Sequence, residues 1–148
     1  MAQKSSKKSS SMNTSRYFMD TAYLLALLNQ NDKYHERAKE LLPSTRLADE
    51  VCITEAIVIE IGNSLSRSNR SIAIDFIEGL YATQNVNIIP VDNSLLRCGI
   101  DLYHKRNDKE WGLTDCISFI VMKEQGLKEA LTSDEHFQQA GFRAMLKD

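Results

Sequence analysis

Along this chain, short apolar runs rich in β-branched residues alternate with longer stretches in which apolar residues recur every three to four positions. The first pattern belongs to strands buried on both faces, the second to helices that lay one side against a core. RYFMD (16–20), VCIT (51–54), VNIIPV (86–91) and EALTS (129–133) read as strands, with FRAML (142–146) as an edge strand. TAYLLALLN (21–29), YHERAKELL (34–42), EAIVIEIGNSLSR (55–67), SIAIDFIEGLYAT (71–83), SLLRCGIDLYHKR (94–106), LTDCISFIVMKEQG (113–126) and DEHFQQAG (134–141) read as helices. Pro43 is expected to stop the second helix, because it lacks an N–H and clashes with the preceding turn. Gly126 is expected to cap the sixth in a left-handed conformation. In the fourth, Ile72, Phe76 and Leu80 share a face with Ala73, Ile77 and Tyr81 beside it; in the fifth, Leu95, Gly99 and Leu102 lie beside Leu96, Ile100 and Tyr103. The sixth is so apolar after its first turn that burial almost all round is expected. Strands alternating with helices predict an α/β fold on a mostly parallel sheet.

Composition sharpens the boundaries. Of 148 residues, 43% are hydrophobic, enough for one sizeable core. Residues 1–15, MAQKSSKKSSSMNTS, offer almost nothing to bury and have the composition of a disordered tail, with Met12 as an alternative start. A single domain is therefore expected over 16–148. No apolar run approaches the roughly 20 residues that cross a bilayer, so no membrane contact and a cytoplasmic location are expected. Cys52, Cys98 and Cys116 stand singly among apolar neighbours and read as buried, reduced thiols. His35, His104 and His136 are dispersed, which speaks against histidine-based catalysis. Net charge is −2, but Lys4, Lys7 and Lys8 belong to the tail, leaving 15 bases against 20 acids in 16–148. A nucleic acid would thus be reached through metal ions or a local basic patch rather than through overall charge. Arg67, Arg70, Arg97, Lys105, Arg106 and Lys109 flank the acid-bearing segments as candidates for such a patch, although solvated helix ends account for most of them.

Among 20 acids, those directed inward are the ones that matter. In open α/β sheets ligands bind beyond the carboxyl ends of the strands. Asp20 ends the first strand and Asp134 follows the fourth, while Asp115 opens the most hydrophobic helix. On the helix 55–67, at about 100° per residue, Ile57 and Ile61 point to the core with Glu60 beside them, Ser64 lies one turn on, and Glu55 projects to the far side. Asp32, Glu36, Glu40, Asp49, Glu50, Asp75, Glu78, Glu124 and Glu129 fall on hydrophilic faces or in loops. Asp20, Asp115 and Asp134 equally suit helix caps, and Glu60 equally suits a helix edge. Four carboxylates at one sheet end would repel each other and take up protons unless a cation stayed bound. Oxygen-only ligation suits Mg²⁺ or Mn²⁺, and two such ions about 4 Å apart support phosphodiester hydrolysis.

The segments FMDTAYLLALLN, TEAIVIEIGNSL, WGLTDCISFIVMKEQG and EALTSDEHFQQAGF resemble the four signature regions of PIN domains, in particular the VapC-type toxin ribonucleases of toxin–antitoxin pairs. The resemblance runs from Arg16 to Leu146. It implies a three-layer α/β/α fold with strand order 3-2-1-4-5 and an acidic pocket that binds Mg²⁺ or Mn²⁺ and cuts RNA. Carried onto this chain, Asp20 and Asp115 are similar to the primary metal ligands, with Glu60 and Asp134 completing the shell directly or through water. Thr21 and Ser133 would orient water at the metal, and Asp108 resembles a supporting acid. The resemblance also implies a homodimer silenced by an antitoxin whose C-terminal segment enters the groove. Rival readings are a non-catalytic PIN-like scaffold and a phospho-accepting receiver-like binding domain, though the latter wants an acidic pair on its first strand. A haloacid-dehalogenase-type phosphatase needs an acid where Ala22 stands.

Overall fold

The computed structural model describes residues 15–148. Five strands, β1 (Arg16–Met19), β2 (Glu50–Thr54), β3 (Val86–Ile89), β4 (Glu129–Leu131) and β5 (Arg143–Ala144), form one sheet in the order β3-β2-β1-β4-β5. All four pairings are parallel. Seven helices flank it: α1 (Thr21–Leu28), α2 (His35–Leu47), α3 (Glu55–Ser64), α4 (Arg70–Ala82), α5 (Asn93–Lys105), α6 (Leu113–Gln125) and α7 (Glu135–Gln139). This is the α/β fold on a parallel sheet that the alternating pattern predicts, in the three-layer form and strand order that the resemblance implies. A parallel sheet covered on both faces needs strands apolar on both sides, and Phe18, Val51, Cys52, Ile53, Ala130 and Leu131 have no exposed surface at all.

Helix α2 departs from expectation, since it runs through Pro43 to Leu47. Pro43 sits on the exposed side of the helix, and so does Lys39, whose carbonyl loses its helical partner. The turn beyond Pro43 is held by other bonds: Tyr23 Oη lies 3.4 Å from Thr45 Oγ1, and Asn85 Nδ2 donates to the carbonyls of Thr45 and Ala48. Tertiary bonds outweigh the local cost of proline here.

The Ser/Lys-rich tail lies outside the described residues except for Ser15, which is bonded to Asp49 through its N–H and carbonyl in continuation of β1 beside β2. Tyr81 and Tyr103, expected beside apolar stripes, are 61% and 51% exposed. Gly126 ends α6 with φ 69, as its position requires. Helix α6 is buried along Cys116–Phe119, Val121 and Met122, partly open at Leu113–Asp115 and Ile120, and exposed from Lys123 onward. Among the described residues no helix is long and apolar enough to cross a membrane.

Candidate metal centre

Because all strands run the same way, their carboxyl ends share one edge, and the chain places acids there. Asp20 follows β1, Asp134 lies three residues after β4, and α6, whose far end leads into β4, begins at the same edge with Asp115 in its first turn. Glu60 comes from α3, six residues beyond the end of β2.

Asp20 is only 7% exposed. It occupies the position before α1 but makes no side-chain cap. Its Oδ2 accepts the Thr132 hydroxyl at 2.8 Å, and no described residue donates to Oδ1. Burial raises its carboxyl from the usual 3.8, the Thr132 bond opposes this, and the charges of Asp115, Glu60 and Asp134 add to it, leaving a value of about 7. The charges of those three acids therefore reach Asp20. Glu60 accepts the Thr21 hydroxyl at 2.5 Å, which ties α3 to the residue after Asp20. Ile57 and Ile61 are fully buried beside it, as the wheel requires, while Glu55 instead accepts the backbone N–H of Val91.

Asp115 and Asp134 do act as caps as well. Asp115 Oδ2 accepts the Gly112 N–H at 3.1 Å, and Asp134 Oδ1 accepts the His136 N–H at 2.9 Å. The Asp115 carboxyl is raised by burial, with the Gly112 N–H opposing, the charge of Asp134 reinforcing, and His136 opposing again. Between the two acids stands His136, whose Nδ1 is 3.1 Å from Asp115 Oδ2 and 3.4 Å from Asp134 Oδ1. One ligand atom from each of Asp115, Asp134 and His136 lies within 4.8 Å of the others. This group joins a histidine to Asp115 and Asp134; the resemblance puts Asp20 and Asp115 first, with Glu60 and Asp134 completing the shell.

His136 and Thr132 are the residues that sequence reasoning missed. His136 stands two positions from Asp134, and its proximity to Asp115 arises only when α7 packs on α6. Thr132, which is fully buried, donates its hydroxyl to Asp20 and accepts the backbone N–H of Asp134 at 3.0 Å. Asp108 is engaged elsewhere, in a two-pronged pair with Arg106 at 3.0 and 3.1 Å. Cys98 is exposed, unlike Cys52 and Cys116. Glu50, expected in solvent, is half-buried and bonded to Arg16 and Asn87.

A buried carboxylate with one free oxygen, surrounded by three like charges, is costly unless a cation is added. The donors present, carboxylate oxygens and one imidazole nitrogen, fit a divalent ion. Fold and acidic centre together define a class: the family model of the PIN domain matches residues 17–143, and the chain belongs to the PIN domain family. Within it, the chain is 26% identical over 125 residues to the 23S rRNA-specific endonuclease VapC20 of Mycobacterium tuberculosis, covering 84% of this chain and 94% of that one. The crystal structure of that protein, described as a Sarcin-Ricin loop cleaving toxin, superposes with a TM-score of 0.76 at 25% identity over 85% of this chain and 95% of the other. VapBC-1 from nontypeable Haemophilus influenzae shares the fold, with a TM-score of 0.58 at 18% identity over 88% and 98% of the two chains.

Proposed function

We propose that this protein is a metal-dependent ribonuclease of the VapC type, in which Asp20, Glu60, Asp115 and Asp134 hold Mg²⁺ or Mn²⁺. The observation that carries the reading is Asp20: a buried carboxylate, without a donor on one oxygen and raised further by the charges of three others, at the sheet edge where α/β folds bind ligands. When bound, the ion or ion pair supplies the charge that activates water and steadies the leaving oxygen of a phosphodiester.

The chain's own residues position that charge. Thr132 fixes one oxygen of Asp20 and leaves the other without a donor among the described residues, while its own oxygen takes up the Asp134 N–H. Thr21 orients Glu60, and the Gly112 N–H orients Asp115. A fixed set of ligands spares the enzyme reorganisation during the reaction.

RNA as substrate follows from relatedness to an endonuclease, and 23S rRNA, named as the target of the M. tuberculosis protein, is the first RNA to assay. In this reading the protein acts in the cytoplasm as the toxin of a pair, forms a homodimer, and is silenced by an antitoxin segment in the acidic groove. A small DNA-binding protein encoded immediately upstream would support the toxin role over housekeeping RNA processing. Purified protein is expected to cleave RNA only with Mg²⁺ or Mn²⁺, and Asp20→Asn and Asp115→Asn to abolish cleavage while circular dichroism stays unchanged. Full activity in either excess EDTA or both variants would overturn the mechanism.

A further inference from the structure

We propose that His136 supplies an imidazole nitrogen to the bound metal, so that the centre favours Mn²⁺ over Mg²⁺. The inference rests on the reading that these acids hold a divalent ion, and adds a ligand that an all-carboxylate centre lacks.

Ligands about 2.1 Å from an octahedral ion stand roughly 3 Å apart in neighbouring positions and roughly 4.2 Å apart across it. His136 Nδ1 lies 3.1 Å from Asp115 Oδ2 and 3.4 Å from Asp134 Oδ1, the spacing of neighbouring ligands. The ring is also held in place. The backbone N–H of His136 donates to Asp134 Oδ1, and the next residue, Phe137, is fully buried edge-on against Phe119 at 5.0 Å. Phe119 belongs to α6, the helix that carries Asp115. Farther along, Trp111 Nε1 donates to Gln139 at 2.9 Å, tying the end of α7 to the segment leading into α6. The imidazole and both carboxylates therefore sit on one packed unit.

Mg²⁺ demands oxygen ligands and keeps much of its water, whereas first-row transition ions accept imidazole nitrogen. Mn²⁺ suits carboxylates and imidazole together. A histidinium that serves only as a resident counter-charge is the competing account, and it makes the opposite prediction, because removing it would strengthen metal binding.

Full-length protein labelled with ¹⁵N-histidine, alongside unlabelled protein, is titrated with Mn²⁺ alone and with Mg²⁺ in competition, reading free Mn²⁺ by EPR and ligand nitrogen by pulsed EPR. Wild type is expected to bind Mn²⁺ more than ~10-fold tighter than Mg²⁺ and to show a histidine nitrogen coupling. His136→Ala is expected to lose the coupling and on the order of 10-fold or more in Mn²⁺ affinity, a loss that even an outer partner can cause, while Mg²⁺ affinity changes little. His136→Asn, which offers an oxygen near the Nδ1 position, is expected to keep Mg²⁺ binding and lose the preference. Metal-free thermal melts establish that the variants fold; should His136→Ala not fold, the wild-type coupling and the Asn variant decide. Absence of nitrogen coupling in wild type, or equal or tighter Mn²⁺ binding by His136→Ala, would overturn the inference while leaving the acidic centre intact. Failure of wild type to bind Mn²⁺ or Mg²⁺ at all would instead overturn the proposed function.

Discussion

Asp20 concentrates the energetic conflict of the centre in one side chain. Its carboxyl titrates near 3.8 in an unfolded chain and at about 7 in the metal-free fold. Between those values the native state holds a proton that the unfolded state has lost. Its contribution to stability is therefore fully present below about pH 4 and disappears as pH rises through about 7. Asp20→Asn, which keeps the shape without the charge, should match the wild type near pH 4 in EDTA and exceed it at pH 8. The difference should be on the order of 2–4 kcal/mol, or several degrees in Tm. Adding Mn²⁺ at pH 8 should raise the wild-type melting temperature and leave the variant's almost unchanged; equal melting of both across this pH range would refute the account. Asp20 was legible in the sequence because a lone acid closing an apolar strand has few places to go. His136 and Thr132 were not, because each matters through a partner more than 20 positions away: Asp115 for the imidazole, Asp20 for the hydroxyl.

Among the elements, α6 sets the position of Asp115, and α5 sets the position of α6. The two meet at Gly99, where an added Cβ would stand 2.6 Å from Cγ1 of Ile117. Such overpacking costs about 1–3 kcal/mol, only partly offset by the roughly 1 kcal/mol that alanine adds to a helix over glycine. Gly99→Ala should thus lower Tm by a few degrees, and it should lower RNA cleavage more than stability alone explains, because Ile117 is two residues from Asp115. Combining it with Ile117→Ala should cost less than the sum of the two single changes, since the second removes the atom that the first strikes; simple additivity would show that the contact is not the cause. Helix positions such as these were readable from the three-to-four spacing of apolar residues, and so were all five strands to within a few residues. The end of α2 was not, because its continuation past Pro43 depends on Tyr23 and Asn85, bonds that no local pattern announces. The stripes also misplaced Tyr81 and Tyr103, whose rings extend past the edge of the buried face to solvent.

Over the whole molecule, charge sets how RNA can be held. Residues 16–148 carry five more acids than bases, so the general field repels a polyanion. Of the bases expected to form a path, Arg67, Arg70, Arg97 and Lys105 are exposed, while Arg106 is already paired with Asp108 and lies 4.9 Å above the Trp111 ring. The residues lining a cavity next to the start of α6 include His104, Arg106, Lys109, Glu110, Trp111 and Gly112, and Gly112 is bonded to Asp115. Arg106 is held by Asp108, whereas Lys109, the lysine of this cavity, makes no salt bridge among the described residues. Affinity for single-stranded RNA should therefore depend on divalent metal and only weakly on monovalent salt. Each phosphate neutralised adds about 0.7 to the slope of log K against log salt, so a slope of no more than ~2 is expected with metal present. Lys109→Ala should reduce that slope by slightly less than 1 and weaken all sequences alike. A slope of 5 or more, or binding of equal strength in EDTA, would mean that a broad basic surface, and not the metal centre, grips the RNA.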